Sequence, residues 1–296
     1  MTELEKRRLR TSAGEFAYVE MGDAENPAVV LLHGFPTSSY LWRNIAPLFS
    51  PWMHVIAPDL LGCGDSEAPD VDLGLRAQAG YVRELLDGLG IETYAVVGHG
   101  IGGGIAQLLA LEGGVGTMIL VDAVAFDAWP SEAMREVQLH LSAADEVVVS
   151  AMIRTAFDLG MGHRERLQEE DLQEYLRPYA GSEGSAACVR LVRAMDGRGL
   201  DGTEEALARL EIPVLVLWGE SDPYLPISVA ERLGDVITTA VALLPGCSHF
   251  LPEDAPETIA PLMFEFLRSR YLGVAHSHGG PVVVELGRRP KGEEVS

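Results

Sequence analysis

The chain has 296 residues and carries 44 acidic against 22 basic side chains, a formal charge of −22 at pH 7. At such lengths roughly three quarters of the unfolded surface is buried, which allows one large core with an insertion. The charge excludes nucleic acid and anionic membrane surfaces as partners, since phosphate-rich surfaces repel it. No apolar run follows the basic start MTELEKRRLR, so neither a signal peptide nor a membrane span is expected, and the expected location is cytoplasmic. Cys63, Cys188 and Cys247 are odd in number, widely spaced and without a CxxC pair. They read as free thiols, with neither a disulfide framework nor a metal site implied.

Four short apolar runs read as buried strands in chain order: AVVLLHG (28–34), HVIAPD (54–59), TYAVVGHG (93–100) and TMILVDAV (117–124). Between them, SYLWRNIAPLF and LRAQAGYVRELLDGLG space apolar residues by three and four, as amphipathic helices do, and Gly90 closes the second. From Trp129 to Arg209 the strand signal stops and the pattern is helical, rich in charge and punctuated by glycines and Pro178. IPVLVLWGESDP resumes the sheet, TTAVALLPGCSH supplies a last strand and PETIAPLMFEFLRSRYL a closing helix. The predicted architecture is α/β, a mostly parallel sheet flanked by helices with a helical cap inserted. The predicted core spans residues 1–125 and 210–272, the cap 126–209. The tail 273–296 is expected to be mobile, although its PVVVEL stretch reads as an edge strand. There is no internal repeat and no low-complexity tract.

The most informative stretch is AVVGHGIGGGIAQLLA, a strand passing through a glycine-rich turn into a helix. That is the setting of a nucleophile elbow, whose usual pattern is GxSxG or GxDxG. Gly98, His99, Gly100, Ile101 and Gly102 fill it here, so the flanking glycines are present and the attacking side chain is absent. A phosphate-binding turn is the weaker reading, because GxGxGGG is not GxGxxG followed by a ribose-binding acid. Glycine at the elbow also has a bland rationale. An elbow residue sits at positive φ, which costs a residue with a Cβ about 1–3 kcal/mol and glycine least.

With HGFPTSSYLWRNIAPL (33–48), APDLLGCGDSEAP (57–69), LWGESDPYLP (217–226) and PGCSHFLPEDAPE (245–257) added in order, the chain resembles α/β-hydrolases from about residue 10 to 272. Within them it is most similar to cap-bearing haloalkane dehalogenases and epoxide hydrolases. The resemblance implies that His249 is the catalytic histidine and Asp222 the acid orienting it. It also implies an oxyanion hole from the backbone N–H groups of Phe35 and Ile101, the latter at a helix N-terminus. Asp122, after TMILV, stands where some dehalogenases place the acid instead. His33 and His99 belong to loop-shaping HG and GH dipeptides, with His99 a fallback nucleophile, and Cys63 is expected beside the site rather than in it. Dehalogenases hold halide with a tryptophan directly after the nucleophile, assisted by the HG loop; Ile101 and Phe35 fill those positions here. Epoxide hydrolases polarise the ring oxygen with cap tyrosines. Tyr175 and Tyr179 are the weak counterparts, because Pro178 disturbs a helix there and surface positions are the ordinary alternative.

Three functional readings follow. The first is an enzyme without covalent catalysis that uses His249 and Asp222 as general base and acid on a small apolar molecule. The chemistry would be hydrolysis by an activated water, ring opening, elimination or cyclisation. The second is a hydrolase whose nucleophile has been deleted, and the third a binding protein that keeps the pocket. A buried histidine and acid retained together count against the third. The expected partner is a small molecule and no cofactor or metal is implied; a homodimer is a compatible assembly.

Overall fold

The computed structural model describes residues 5–141 and 145–273. Its strands are β1 (Lys6–Arg10), β2 (Glu15–Met21), β3 (Ala28–Leu32), β4 (His54–Pro58), β5 (Tyr94–Gly100), β6 (Val115–Ala123), β7 (Val214–Gly219) and β8 (Val241–Leu244). They form one sheet in the order β1-β2-β4-β3-β5-β6-β7-β8. β2 pairs antiparallel with β1 and with β4, and every later pairing is parallel. β3, β4 and β5 are buried along their whole length, as a parallel sheet covered on both faces requires.

The longer helices are α1 (Leu75–Gly88), α2 (Ile101–Glu112), α3 (Glu132–His140), α4 (Glu146–Gly160), α5 (Glu169–Leu176), α6 (Gly181–Ala194), α7 (Ile227–Ile237) and α8 (Pro256–Arg270). Alternation along β5 divides the core. Val96 faces a cluster with Val82 of α1, Ile105 of α2 and Leu233 of α7, while Val97 faces one with Ile259 and Met263 of α8. α3 to α6 all lie between β6 and β7 and build their own cluster from Ile153, Phe157, Leu172, Tyr175 and Val192. The same cluster takes in Phe250, from the loop after β8. The insertion is therefore packed onto the segment that carries His249.

Three expectations need correction or placing. SYLWRNIAPLF is not one helix: Ser39–Trp42 makes a 3₁₀ turn and Ala46–Phe49 a fresh helical turn with Pro47 near its start. Proline has no N–H to bond back one turn, so it begins a helix rather than continuing one. β1 carries no signal that sequence patterning detects, because KRRLR is a charged edge strand, while β2, with the buried run FAYV, was passed over. The tail beyond Gly273, with its expected mobility and edge strand, lies outside the described residues. Among the described residues, no helix is long and apolar enough to cross a membrane.

A buried ionic cluster fastens the insertion. Arg43, after β3, pairs with Glu253 on both carboxylate oxygens, with Asp171 of α5 at 3.3 Å, and stacks over the Tyr40 ring at 4.2 Å. Tyr175 of α5 donates to Glu253, and Tyr40 donates to Asp171 at 2.8 Å. Burial together with the Asp171 hydrogen bond pushes the Tyr40 phenol up to about 12. Removing one partner of such a cluster strands a buried charge. Arg43→Met is expected to lower stability by about 3–5 kcal/mol in urea unfolding, and the double variant Arg43→Met with Glu253→Gln by clearly less. Equal losses in the two would show that the charge is not what the cluster balances.

Candidate active site

The site lies at the carboxyl ends of the central strands, where β5 turns sharply into α2. Gly100 has φ +55 and ψ −122, a backbone that only glycine adopts without strain. A Cβ placed on it would lie 3.6 Å from His249 Nε2 and 3.4 Å from Gly34 Cα, both ordinary contacts. The position thus points at the imidazole and has room for a side chain. Its neighbours have none: a Cβ on Gly102 would fall 2.4 Å from Leu32 O, and one on Gly103 2.3 Å from Ala123 Cβ.

His249 Nδ1 lies 2.8 Å from Asp222 Oδ2. A carboxylate only accepts, so Nδ1 carries the hydrogen and Nε2 turns its lone pair toward Gly100. Asp222 is held in turn, because its Oδ1 accepts from the N–H groups of Tyr224 (2.7 Å) and Leu225 (3.0 Å). The Asp222 side chain is 1% exposed and that of His249 9%. Tyr224 meets the imidazole edge-on at 5.2 Å and Phe250 at 5.1 Å. Ile101 opens α2, whose aligned peptide dipoles favour negative charge at that end.

These groups meet at one corner of a cavity of about 310 Å³. Phe35, Gly100, Ile101 and His249 all line it, and its walls run on through α3 and α4. No Lys, Arg, Asp or Glu among the described residues lines it.

The other expected residues are placed elsewhere. Asp122 accepts from Gly219 N–H at 2.7 Å rather than from His249. Burial and the nearby charge of Asp222 hold its carboxyl well above the usual range. His99 is buried outside the cavity, its Nε2–H donating to the His249 carbonyl at 2.9 Å. It supports the backbone of the loop rather than the chemistry, and burial drives its pKa well below the usual value. His33 bonds Gly34 O and Leu60 N, shaping the loop after β3. Cys63 is buried away from the cavity and desolvation pushes its thiol up to about 12, so it supplies no thiolate. Tyr175 and Tyr179 are buried rather than on the surface and line no part of the cavity. Tyr175 is spent on Glu253, and Tyr179 packs its ring against Phe35. Among the described residues, no His, Cys, Asp and Glu side chains cluster as a metal site requires.

Sequence reasoning missed Tyr224, Phe250 and Asp254. Asp254 is fully buried and accepts from Ser248, Gly162 and His163 backbone N–H groups at 2.8–2.9 Å. It ties the loop before His249 to the segment just after α4. The only available signal was adjacency to the GESDP and CSHF motifs.

A family profile described as alpha/beta hydrolase family matches residues 29–262. A haloalkane dehalogenase of Bradyrhizobium diazoefficiens is 28% identical over 285 residues, covering 87% of this chain and 92% of that protein. A soluble epoxide hydrolase of a Corynebacterium species is 30% identical over 290 residues, covering 90% and 98%. The crystal structure of an alpha/beta hydrolase fold protein from Burkholderia ambifaria aligns with a TM-score of 0.81 at 29% identity, covering 90% of this chain and 98% of that one.

Two expectations follow from this geometry. Gly100→Ala should fold at a cost of about 1–3 kcal/mol of backbone strain, and Gly102→Ala should cost more, because its Cβ meets backbone; urea unfolding of both variants reads the order. His99 is neutral in the fold and protonates near 6.5 when unfolded. Its share of stability is therefore complete above that value and lost as the pH falls below it. Stability measured from neutral to mildly acidic pH should fall less steeply in His99→Gln than in the parent; parallel curves would refute the assignment.

Proposed function

Given that the chain belongs to the alpha/beta hydrolase family, we propose that it transforms a small apolar molecule without an enzyme-bound covalent intermediate, with His249 as the general base. The observation that carries this reading is the bare Gly100 elbow aimed at a lone pair on His249, with the surrounding machinery kept. Gly100 stands where the family's elbow presents its attacking side chain. The vacancy beside it has polar partners on two sides and can admit a water or a substrate oxygen.

In this reading His249 Nε2 takes a proton from that water or from the substrate. Asp222 stabilises the resulting imidazolium, and the N–H groups of Phe35 and Ile101 stabilise the oxygen on which negative charge gathers. The proton then returns from Nε2 to the departing atom. Residues 126–209 act as the cap that closes this corner from above, over the core formed by 1–125 and 210–272. Hydrolysis by an activated water, ring opening, elimination and cyclisation all fit the arrangement. The named relatives put epoxides and haloalkanes first among substrates to try. Halide loss is the poorer fit, because Phe35 and Ile101 bring no side-chain donor to the corner. Ring opening would draw its donors from the backbone, since the Tyr224 hydroxyl is engaged with Ala156 O at 2.8 Å.

The contribution expected from a general base is ~10²–10⁴-fold, and from an oxyanion hole ~10²–10³-fold. An ester, epoxide and halide panel should therefore reveal a reactive substrate whose kcat/KM falls ~10²–10⁴-fold in His249→Ala. Mass spectrometry should find no adduct at residue 100. Full activity in His249→Ala would show that His249 is not the base and overturn this mechanism, and ligand binding without any turnover in the parent would replace it with a binding protein. Strong new hydrolysis in Gly100→Asp or Gly100→Ser, with an ester trapped on that residue, would make a nucleophile-deleted hydrolase the better description.

A further inference from the structure

An anion enclosed by uncharged walls needs a counter-charge, and one can be made in this cavity. Among the described residues no Lys, Arg, Asp or Glu lines it, so His249 is the lining group that can become a cation. It is more than nine-tenths buried, and its Nε2 bonds to no described residue. A Cβ on Gly100 would lie 3.6 Å from that nitrogen, so a group resting against Gly100 comes within its reach. The same spot is the start of α2, a helix of 12 residues. Its first N–H groups have no partner within the helix, and its dipoles favour negative charge there. Two independent features thus point at one position.

The groups around the imidazole decide how an anion can enter. Asp222 holds Nδ1 at 2.8 Å. Tyr224 meets the ring edge-on at 5.2 Å with its hydroxyl engaged on Ala156 O, and Phe250 brings no charge. His99, at the end of β5, lies 4.9 Å away ring to ring and is kept neutral by burial. Of the carboxyls grouped with Asp222, burial holds Asp122 well above the usual range, and Asp254 is engaged by three backbone N–H groups. An anion entering alone would add uncompensated negative charge beside Asp222. Entering together with a proton on Nε2, it leaves the total charge of the corner unchanged and the imidazolium between two acceptors.

We propose that the corner between Gly100, Ile101 and His249 is a binding site for a single carboxylate, taken up with one proton that rests on His249 Nε2. One carboxylate oxygen accepts from Nε2–H and the other from the N–H groups that open α2. A carboxylate suits the corner because it carries one charge and two acceptor atoms side by side. A dianion brings a second charge that nothing in the cavity answers. The carboxylate belongs either to a free small acid or to the substrate itself, whose apolar body would then lie against Phe35 and Trp129. This assignment depends on the reading above only for the place of the polar corner.

Binding is the readout, so the two stand apart. Acetate uptake without turnover of any panel substrate would keep the site and sink the mechanism; turnover without acetate uptake would do the reverse. Calorimetric titration of the full-length chain with sodium acetate, in chloride-free buffers of different ionisation enthalpy, should show about one proton taken up per acetate at about pH 7.5. The proton is scarcer at higher pH, so affinity should fall at least about threefold, and at most about tenfold, from about pH 7.5 to about pH 8.5. Malonate and acetamide should each bind at least about tenfold more weakly than acetate. Gly100→Asp, which places a carboxylate of its own in the corner, and His249→Gln, which cannot take the proton, should each weaken acetate at least about tenfold. Should either variant fail to fold, proton uptake and pH dependence in the parent decide alone. Phenylacetate bound at least about tenfold more tightly than acetate would place the carboxylate on the substrate, and equal affinities would make it a free co-ligand; both results keep the site. Acetate bound without proton uptake, chloride or malonate bound as tightly as acetate, or no saturable binding of either acid would overturn the proposal.

Discussion

The arrangement depends on how closely α2 approaches the sheet at its first turn. Side chains larger than hydrogen at Gly98, Gly102 or Gly103 would sit within 2.3–2.4 Å of Gly102 O, Leu32 O or Ala123 Cβ. Backbone against backbone at this distance lets the helix start directly on the end of β5, which delivers the N–H of Ile101 and the positive end of the helix to the cavity. It also brings Gly100 beside Gly34 and opposite His249. The run of glycines that reads as a permissive turn is therefore a steric requirement.

On that platform the imidazole is held from several sides. Asp222 fixes the tautomer of His249, Tyr224 and Phe250 wall its ring, and His99 holds its carbonyl from below. Asp222 and His249 are almost wholly buried, so their dipoles act in a low-dielectric setting. The identity of residue 100 leaves this electrostatic setting unaltered, because it is built from the backbone and from other residues.

The parallel strands were legible because buried runs such as AVVLL and YAVVGHG are continuous, β-rich and bounded by turns. β1 was not, because a strand of the composition KRRLR shows neither alternation nor burial, and SYLWRNIAPLF keeps helical spacing even though Pro47 resets the chain. At the site, Gly100, His249 and Asp222 were legible because each sits in a local motif at a strand end. Asp254, Tyr224 and the Arg43–Glu253 pair were not, since Arg43 and Glu253 lie 210 positions apart and nothing local announces their meeting. Tyr175 and Tyr179 show the converse limit. Spacing places them near one another but says nothing of what they pack against, and both turned inward to Glu253 and Phe35.

The short turn Leu251–Asp254 that follows His249 is shared property. Glu253 answers to Arg43 of the core and Tyr175 of the insertion, while Asp254 answers to Ser248 on one side and to Gly162 and His163 on the other. The insertion is consequently not a detachable module. Replacing the segment between β6 and β7 would take from Glu253 its Tyr175 donor and from Asp254 its Gly162 and His163 donors, leaving both buried carboxylates only partly satisfied. Diversification of this scaffold must therefore proceed by changing the cavity-facing positions of α3 and α4 while the middle of the insertion, where Gly162, His163 and Tyr175 hold the turn, stays as it is.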